Sequence, residues 1–290
     1  MSETVKVVGL NYFHEKEQSL KDVSFTLETG KVYGLWGRNG AGKTTLMRCI
    51  AGLSPVDEKS ISVMEVEPFD NDKLLGDICF IQENHPLNPI WRVKDALEIA
   101  SWFQPEWDES LAQRAMSAFK LKPTMRVKKM SKGMKTALAL SIGLASNAKV
   151  TIFDEPTNGL DAAFRETFYE LLMKEHEKEN RLFVISTHYI QELQRYMEQL
   201  LVIHDGELVL DQSLEEIRGA SGYIHGKKEE LNFLEDDSSV IEVKEMGGVV
   251  RYMVEINEHT EKPILEKIDQ QVELQDYLLR KTEVRKEEAI

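Results

Sequence analysis

Cysteine is nearly missing from this chain. Cys49 and Cys79 are the only two in 290 residues, far short of a disulfide scaffold. Both sit in apolar surroundings and read as small buried hydrophobes of a reducing compartment. Long apolar runs are missing as well. A membrane-spanning helix needs about 20 mainly apolar residues. The longest uncharged stretch, residues 136–148, has 13 and is closed off by Lys135 and Lys149. The opening MSETVKVVGLNYF lacks the basic-then-apolar layout of a secretory leader. Basic residues are in deficit: 36 Lys and Arg stand against 50 Asp and Glu, a net charge of −14. Such a surface repels a phosphate backbone, so sequence-blind nucleic-acid binding is not expected. No internal repeat, heptad run or low-complexity tract occurs. These absences lead to the expectation of a soluble, cytosolic protein, unless a partner carries it to a membrane.

Apolar residues make up 42% of the chain and charged residues 30%, which supports a folded core and argues against wholesale disorder. At ~100–200 residues per domain, the length fits one large domain or two modest ones. Residues 4–10 and 23–27 alternate apolar and polar and read as strands. Residues 31–36 read as a buried strand, 37–42 as a loop, and Lys43 onward as a helix with Leu46, Met47 and Ile50 on one face. A strand over 78–82 leads into a loop holding Pro86 and Pro89. The pattern is helical from about 91 to 122 and again over 131–146. A short apolar strand, 150–153, ends at Asp154, a helix follows over roughly 162–179, and a strand over 182–186. Strand–helix alternation of this kind predicts an α/β core with a mainly parallel sheet. Beyond about 219 the pattern changes. Strands at 240–243 and 249–256 flank Gly247-Gly248 as a hairpin, and a helix over about 261–280 closes the chain.

Two motifs carry chemistry. Gly37-Arg38-Asn39-Gly40-Ala41-Gly42-Lys43-Thr44 matches G-x-x-x-x-G-K-[ST], between a predicted strand and a predicted helix. Glycines let backbone amides curl around phosphate oxygens, and the following helix points its positive end at them. Lys43 is expected to reach the β- and γ-phosphates and the Thr44 hydroxyl to ligate Mg²⁺. The second motif is VTIFDEP at 150–156, an apolar strand delivering two carboxylates at its C-terminal end. Asp154 is the expected indirect Mg²⁺ partner, and Glu155 the expected base or orienter for an attacking water.

Set in order along the chain, these and three further motifs resemble the ATP-binding subunit of an ABC transporter. The resemblance covers about residues 3–218. GRNGAGKTT (37–45) resembles the family's phosphate loop, including Thr45, and Gln82 resembles the Q-loop glutamine. MSKGM (130–134) stands where the signature LSGGQ is expected, with Ser131 and Gly133 kept. FDEPTNGLD (153–161) resembles the second Walker motif running into the D-loop aspartate, Asp161, and STH (186–188) resembles the switch segment with its histidine, His188. The resemblance implies a P-loop NTPase core with a small β subdomain and a helical subdomain at about 83–135. It implies that Gln82 bridges Mg²⁺ and the lytic water, that His188 contacts the γ-phosphate, and that Tyr12 stacks on adenine. It also implies ATP and Mg²⁺ as cofactors, and a second nucleotide-binding subunit, identical or related, closing face to face over two ATP molecules. Finally it implies a separately encoded transmembrane permease that holds the protein at the inner face of the cell membrane. The loop 84–92 (NHPLNPIWR) is the expected permease contact.

Two departures stand out. Lys132 replaces a signature glycine and Met134 the signature glutamine, so slower or partner-dependent turnover is expected. The 54–68 segment lacks the turn glycines of the family's strand-turn-strand, which affects only a peripheral turn. Residues 1–218 are therefore read as the ATP-binding domain and 219–290 as a small α+β accessory domain. The first 228 residues carry a net charge of −5 and the remaining 62 a net of −9, so the acidity belongs mostly to the tail. Two alternatives are a soluble ABC-type ATPase outside transport and a low-turnover, nucleotide-gated regulatory subunit.

Overall fold

The computed structural model describes residues 3–288, apart from 75, 179, 235, 236, 238, 258 and 259. Its contacts divide the chain into two units: Met1–Tyr189 with Leu193–Asp211, and Ile190–Glu192 with Gln212–Ile290.

The first unit opens with β1 (Glu3–His14) and β2 (Glu17–Glu28), an antiparallel hairpin longer than the two predicted strands. The chain then enters a second sheet through β3 (Val32–Trp36) and continues into α1 (Lys43–Ile50). Strand β4 (Ile61–Val63) returns to pair with β1, closing a three-stranded sheet in the order β2-β1-β4. The turn after β4 places Met64 and Glu65 at φ 49° and 66°, where the sequence lacks its glycines, and only an isolated bridge, Val63 to Val66, follows.

β5 (Ile78–Ile81) forms one edge of the second sheet. The stretch expected to be helical from 91 to 122 is two helices, α2 (Val93–Trp102) and α3 (Glu109–Ala118). Pro105 explains the break, since it has no N–H and disfavours a helical residue before it. Asp108 restarts the chain as a cap, accepting the Leu111 N–H at 2.8 Å. α4 (Lys132–Ala145) is buried at every residue from Ala137 to Ala145. The uncharged run at 136–148 is thus a core helix, apolar all round because protein covers every side. β6 (Val150–Asp154), α5 (Ala162–His176) and β7 (Leu182–Thr187) follow, and the short α6 (Ile190–Leu193) comes next. β8 (Gln199–His204) and β9 (Glu207–Ser213) complete a six-stranded sheet ordered β5-β6-β7-β3-β8-β9. β5, β6, β7, β3 and β8 run parallel. β3, β6 and β7 are buried along their whole length, as strands covered on both faces are.

Arg181 pins the end of α4. Its buried guanidinium donates to the carbonyls of Gly143 (3.2 Å), Leu144 (2.9 Å) and Ala148 (3.1 Å), and to the Thr151 hydroxyl (2.7 Å). A cation there satisfies helix-terminal carbonyls and meets the negative end of the helix. Burial lowers its pKa to about 10, which leaves it charged at neutral pH. Both cysteines are free and buried, and burial pushes the Cys49 thiol up to about 12.

The second unit contains α7 (Leu214–Gly219), β10 (Ser221–Gly226), β11 (Val240–Met246) and β12 (Val249–Glu255). β11 and β12 form the expected hairpin, with Gly247 and Gly248 at φ 59° and 83°. The expected closing helix over 261–280 is a correction. The chain forms α8 (Lys262–Leu265), then β13 (Gln270–Gln271), then α9 (Leu274–Glu288). Tertiary pairing overrides helix propensity here. Gln270 and Gln271 pair with β10, the Asp269 N–H donates to the Tyr223 carbonyl, and the Asp269 carboxylate holds His225 at 2.8 Å. Ile224, Leu234, Tyr252, Val254 and Ile264 form this unit's core. Among the described residues, no helix is long and apolar enough to cross a membrane.

Candidate active site

The six residues between β3 and α1 form a loop whose last member, Gly42, has φ 108°. A side chain there would meet the Ser19 carbonyl at 2.8 Å, so glycine is required on both counts. The loop wraps a cavity of about 330 Å³ lined by Arg38, Asn39, Gly40, Ala41, Gly42, Lys43, Thr44 and Thr45. Ser19, Glu83, Asp154 and Glu155 complete the lining. Lys43 is buried beneath the loop. Its ammonium donates to the Gly37 carbonyl at 2.6 Å and lies 3.6 Å from Glu155 Oε1. The Thr44 hydroxyl donates to Asp154 Oδ2 at 2.8 Å.

The opposite wall comes from Asp154 and Glu155 at the end of β6, backed by the end of β7. Asp154 accepts from the Ser186 hydroxyl at 2.7 Å, and that hydroxyl oxygen accepts the Glu155 N–H at 2.9 Å. Glu155 has φ 48°, a left-handed conformation that costs a non-glycine residue about 1–3 kcal/mol. The bend swings its carboxylate from the strand into the cavity, between Lys43 on one side and His188 on the other. His188 Nδ1 lies 2.7 Å from Glu155 Oε2. The two carboxylates are therefore separated by role: one holds two hydroxyls, the other a cation and an imidazole.

Residues 20–158 match the family described as ABC transporter. The ABC transporter ATP-binding protein YtrB of Bacillus subtilis is 29% identical over 201 residues, 69% of each chain. The ATP-binding subunit of an ABC transporter superposes with a TM-score of 0.68 at 24% identity, covering 74% of this chain and 92% of that one. A dimeric ATP-binding cassette in a post-hydrolysis state, bound to ADP and Pi, superposes at 0.64 and 22% identity, covering 72% and 98%. Residues 20–158 thus resemble an ABC transporter ATP-binding domain.

The first unit is mixed α/β with a mainly parallel central sheet, as in the P-loop NTPase fold, and the family matched is one of ATP-binding ATPases. The other expected positions lie around the phosphate cavity rather than in its lining. Gln82 lines a neighbouring cavity of about 280 Å³, between the loop after β5 and the first turns of α4; its sequence neighbour Glu83 lines both. Ser131 caps α4, accepting the Met134 N–H at 3.2 Å, and Gly133 sits against the Gly159 carbonyl. Asp161 caps α5 through the Phe164 N–H at 2.9 Å. Tyr12, half-buried on β1, pairs in register with Leu20, whose side chain touches Gly42. The hairpin thus brings Tyr12 to the edge of the phosphate loop's strand neighbours. Of the aromatics in the helical segment, Trp91 and Trp107 are half-buried, while Trp102 and Phe103 stay 70% and 68% exposed. Two members of the cassette's site are new to the structure. Ser186 lies inside the STH motif, and its place near the end of a buried apolar strand is the signal that could have found it. Glu83 follows the Q-loop glutamine directly, and only the fold shows that it faces the phosphate loop.

Proposed function

We propose that this cassette binds MgATP in the phosphate cavity, hydrolyses it, and drives a separately encoded transmembrane permease by pairing with a second cassette. The observation that carries the reading is the Glu155 carboxylate held between Lys43 (3.6 Å) and His188 (2.7 Å), beside the Thr44–Asp154 bond.

The loop amides from Arg38 to Thr45 cradle phosphate oxygens, and Lys43 offsets their charge. Glu155 orients the attacking water and draws off its proton, and His188 fixes the carboxylate's direction. Ser186 holds Asp154 and the Glu155 amide in one frame. The donor set suits Mg²⁺: Thr44 and Asp154, joined on the nucleotide side by Gln82, would hold it. Mg²⁺ keeps several waters and takes phosphate oxygens as ligands, so an all-protein cage is not needed. Its chemistry there is to offset charge on the transferred phosphoryl group. Ser131 and Asp161 cap exposed helix starts outside the cavity, with Gly133 in the first turn after Ser131, as residues serving a facing subunit's nucleotide would. Tyr12 is read as the adenine platform. The loop 84–92 is read as the permease contact, which would hold the protein at the inner face of the membrane. Residues 1–218 are read as the ATP-binding domain and 219–290 as an accessory domain.

Steady-state ATPase of the purified chain, compared with Glu155→Gln, tests the reading. Turnover is expected to fall by about 10²- to 10⁴-fold with nucleotide binding kept. Equal turnover in both proteins would remove Glu155 from the reaction.

A further inference from the structure

Lys132 and Glu83 form an ion pair that joins two parts of the first unit. Lys132 Nζ lies 3.5 Å from Glu83 Oε1, and the same oxygen accepts from Asn158 Nδ2 at 3.3 Å. The lysine stem lies across Gly159: a side chain at that glycine would meet the Lys132 methylenes at 3.2 Å. Gly159 has φ +84° and so leaves the path that the stem follows. Lys132 is the first residue of α4, and Glu83 lies in the loop after β5.

The pair is partly in solvent, with side chains 58% and 38% exposed. A pair so placed contributes little to stability. Its position matters more. Glu83 lines the cavity of the phosphate loop together with Asp154 and Glu155, whereas Lys132 lines only the adjoining cavity. Glu83 is therefore a third carboxylate facing the space where a polyphosphate would carry several negative charges. Asp154 is tied to Thr44 and Glu155 to Lys43. The cation tied to Glu83 is the lysine that stands in the signature position.

We propose that Glu83 and Lys132 are a charge-compensating pair that sets nucleotide affinity: Glu83 opposes the polyphosphate, and Lys132 cancels that opposition from the start of α4. Lys132 is thus a positioning residue that acts through Glu83. By linkage, whatever draws Lys132 away from Glu83 weakens nucleotide binding, and bound nucleotide favours the α4 position that keeps the pair closed. The proposal rests on the phosphate cavity being the ATP site.

Titration calorimetry of the full chain with ATP, in five variants, tests it. Lys132→Met is expected to weaken binding and Glu83→Gln to tighten it, each by about three- to tenfold, the size expected for one charge within about 10 Å in a partly solvated setting. The double variant Glu83→Gln with Lys132→Met returns close to the parent, and Lys132→Arg retains parent affinity. The shifts shrink as salt rises from about 50 mM to about 500 mM. An ion pair with a merely structural role would move both single variants in the same direction or leave both unchanged. Either of those results overturns the proposal. Lys43→Ala separates the two readings: ATP binding that survives it places the nucleotide elsewhere and overturns the ATP-site reading, whatever the pair does.

Discussion

Ser186 connects the two acidic residues that the sequence separates only by position. Its oxygen bonds Asp154 at 2.7 Å and receives the Glu155 amide at 2.9 Å. Glu155 keeps a left-handed backbone because that amide is held and because its carboxylate has Lys43 and His188 to meet. Ser186→Ala removes a bond to each neighbour without touching the cavity lining. We expect kcat to fall by about 10- to 100-fold, the usual effect of losing an orienting partner, with the affinity for ATP changed less. Measuring kcat and ATP binding on the same preparation checks this. A loss confined to affinity would mean that Ser186 shapes the loop rather than the reacting groups.

At the scale of elements, two tests bear on how the site is carried. Arg181 binds the final carbonyls of α4 to β6 through Thr151. Arg181→Met keeps the volume and removes every donor. Stranded carbonyls and a lost buried cation should cost about 3 kcal/mol of unfolding free energy, read from urea melts. The loop after β5 offers the other test. His85 lines the cavity beside Lys132, Lys135, Glu83 and Glu155, and its buried Nδ1 has no partner among the described residues. Burial holds its pKa below the usual imidazole value. The unfolded chain therefore takes up this proton first. The stability it contributes is full above about pH 6.5 and is lost as pH falls through the folded-state value. His85→Gln should narrow the drop in thermal midpoint between pH 7.5 and pH 5.5, as scanning calorimetry would show. An unchanged drop would assign the acid sensitivity to other groups.

At the scale of the whole molecule, Ser131 and Asp161 cap exposed helix starts outside the cavity lining, and Gly133 lies in the first turn after Ser131. If they serve a second subunit, ATP must join two chains. Glu155→Gln, which keeps the nucleotide, should run at twice the monomer mass with ATP in light scattering after gel filtration, and as a monomer with ADP. A monomer in both conditions would leave the pairing to a different subunit. The acidity fits the same division of labour: net −9 falls on the last 62 residues, away from the stretch that holds the phosphate loop.

The phosphate loop and the carboxylate strand end could be read as local patterns, glycines where the backbone must turn and an apolar strand that delivers carboxylates, whereas the switch segment was read only from the family resemblance. The parallel core was legible for the same reason, as near-continuous apolar runs at β3, β6 and β7 admit little else. The β8–β9 hairpin was missed although Asp205-Gly206, with φ of 46° and 85°, marks its turn. β10 was missed because glycines at two of its six positions weaken the strand pattern, and the helix over 261–280 was wrong because pairing with β10 outweighs local propensity. Contact across the chain decided the rest. The sequence by itself determined where the glycine loop and the paired carboxylates fall, through spacing that the backbone enforces over a few residues. Only the tertiary structure decided that Ser186 joins Asp154 to Glu155 and that Glu83 faces the phosphate loop while holding Lys132, because these meetings depend on parallel strands and a helix start brought together from 31 to 49 residues apart.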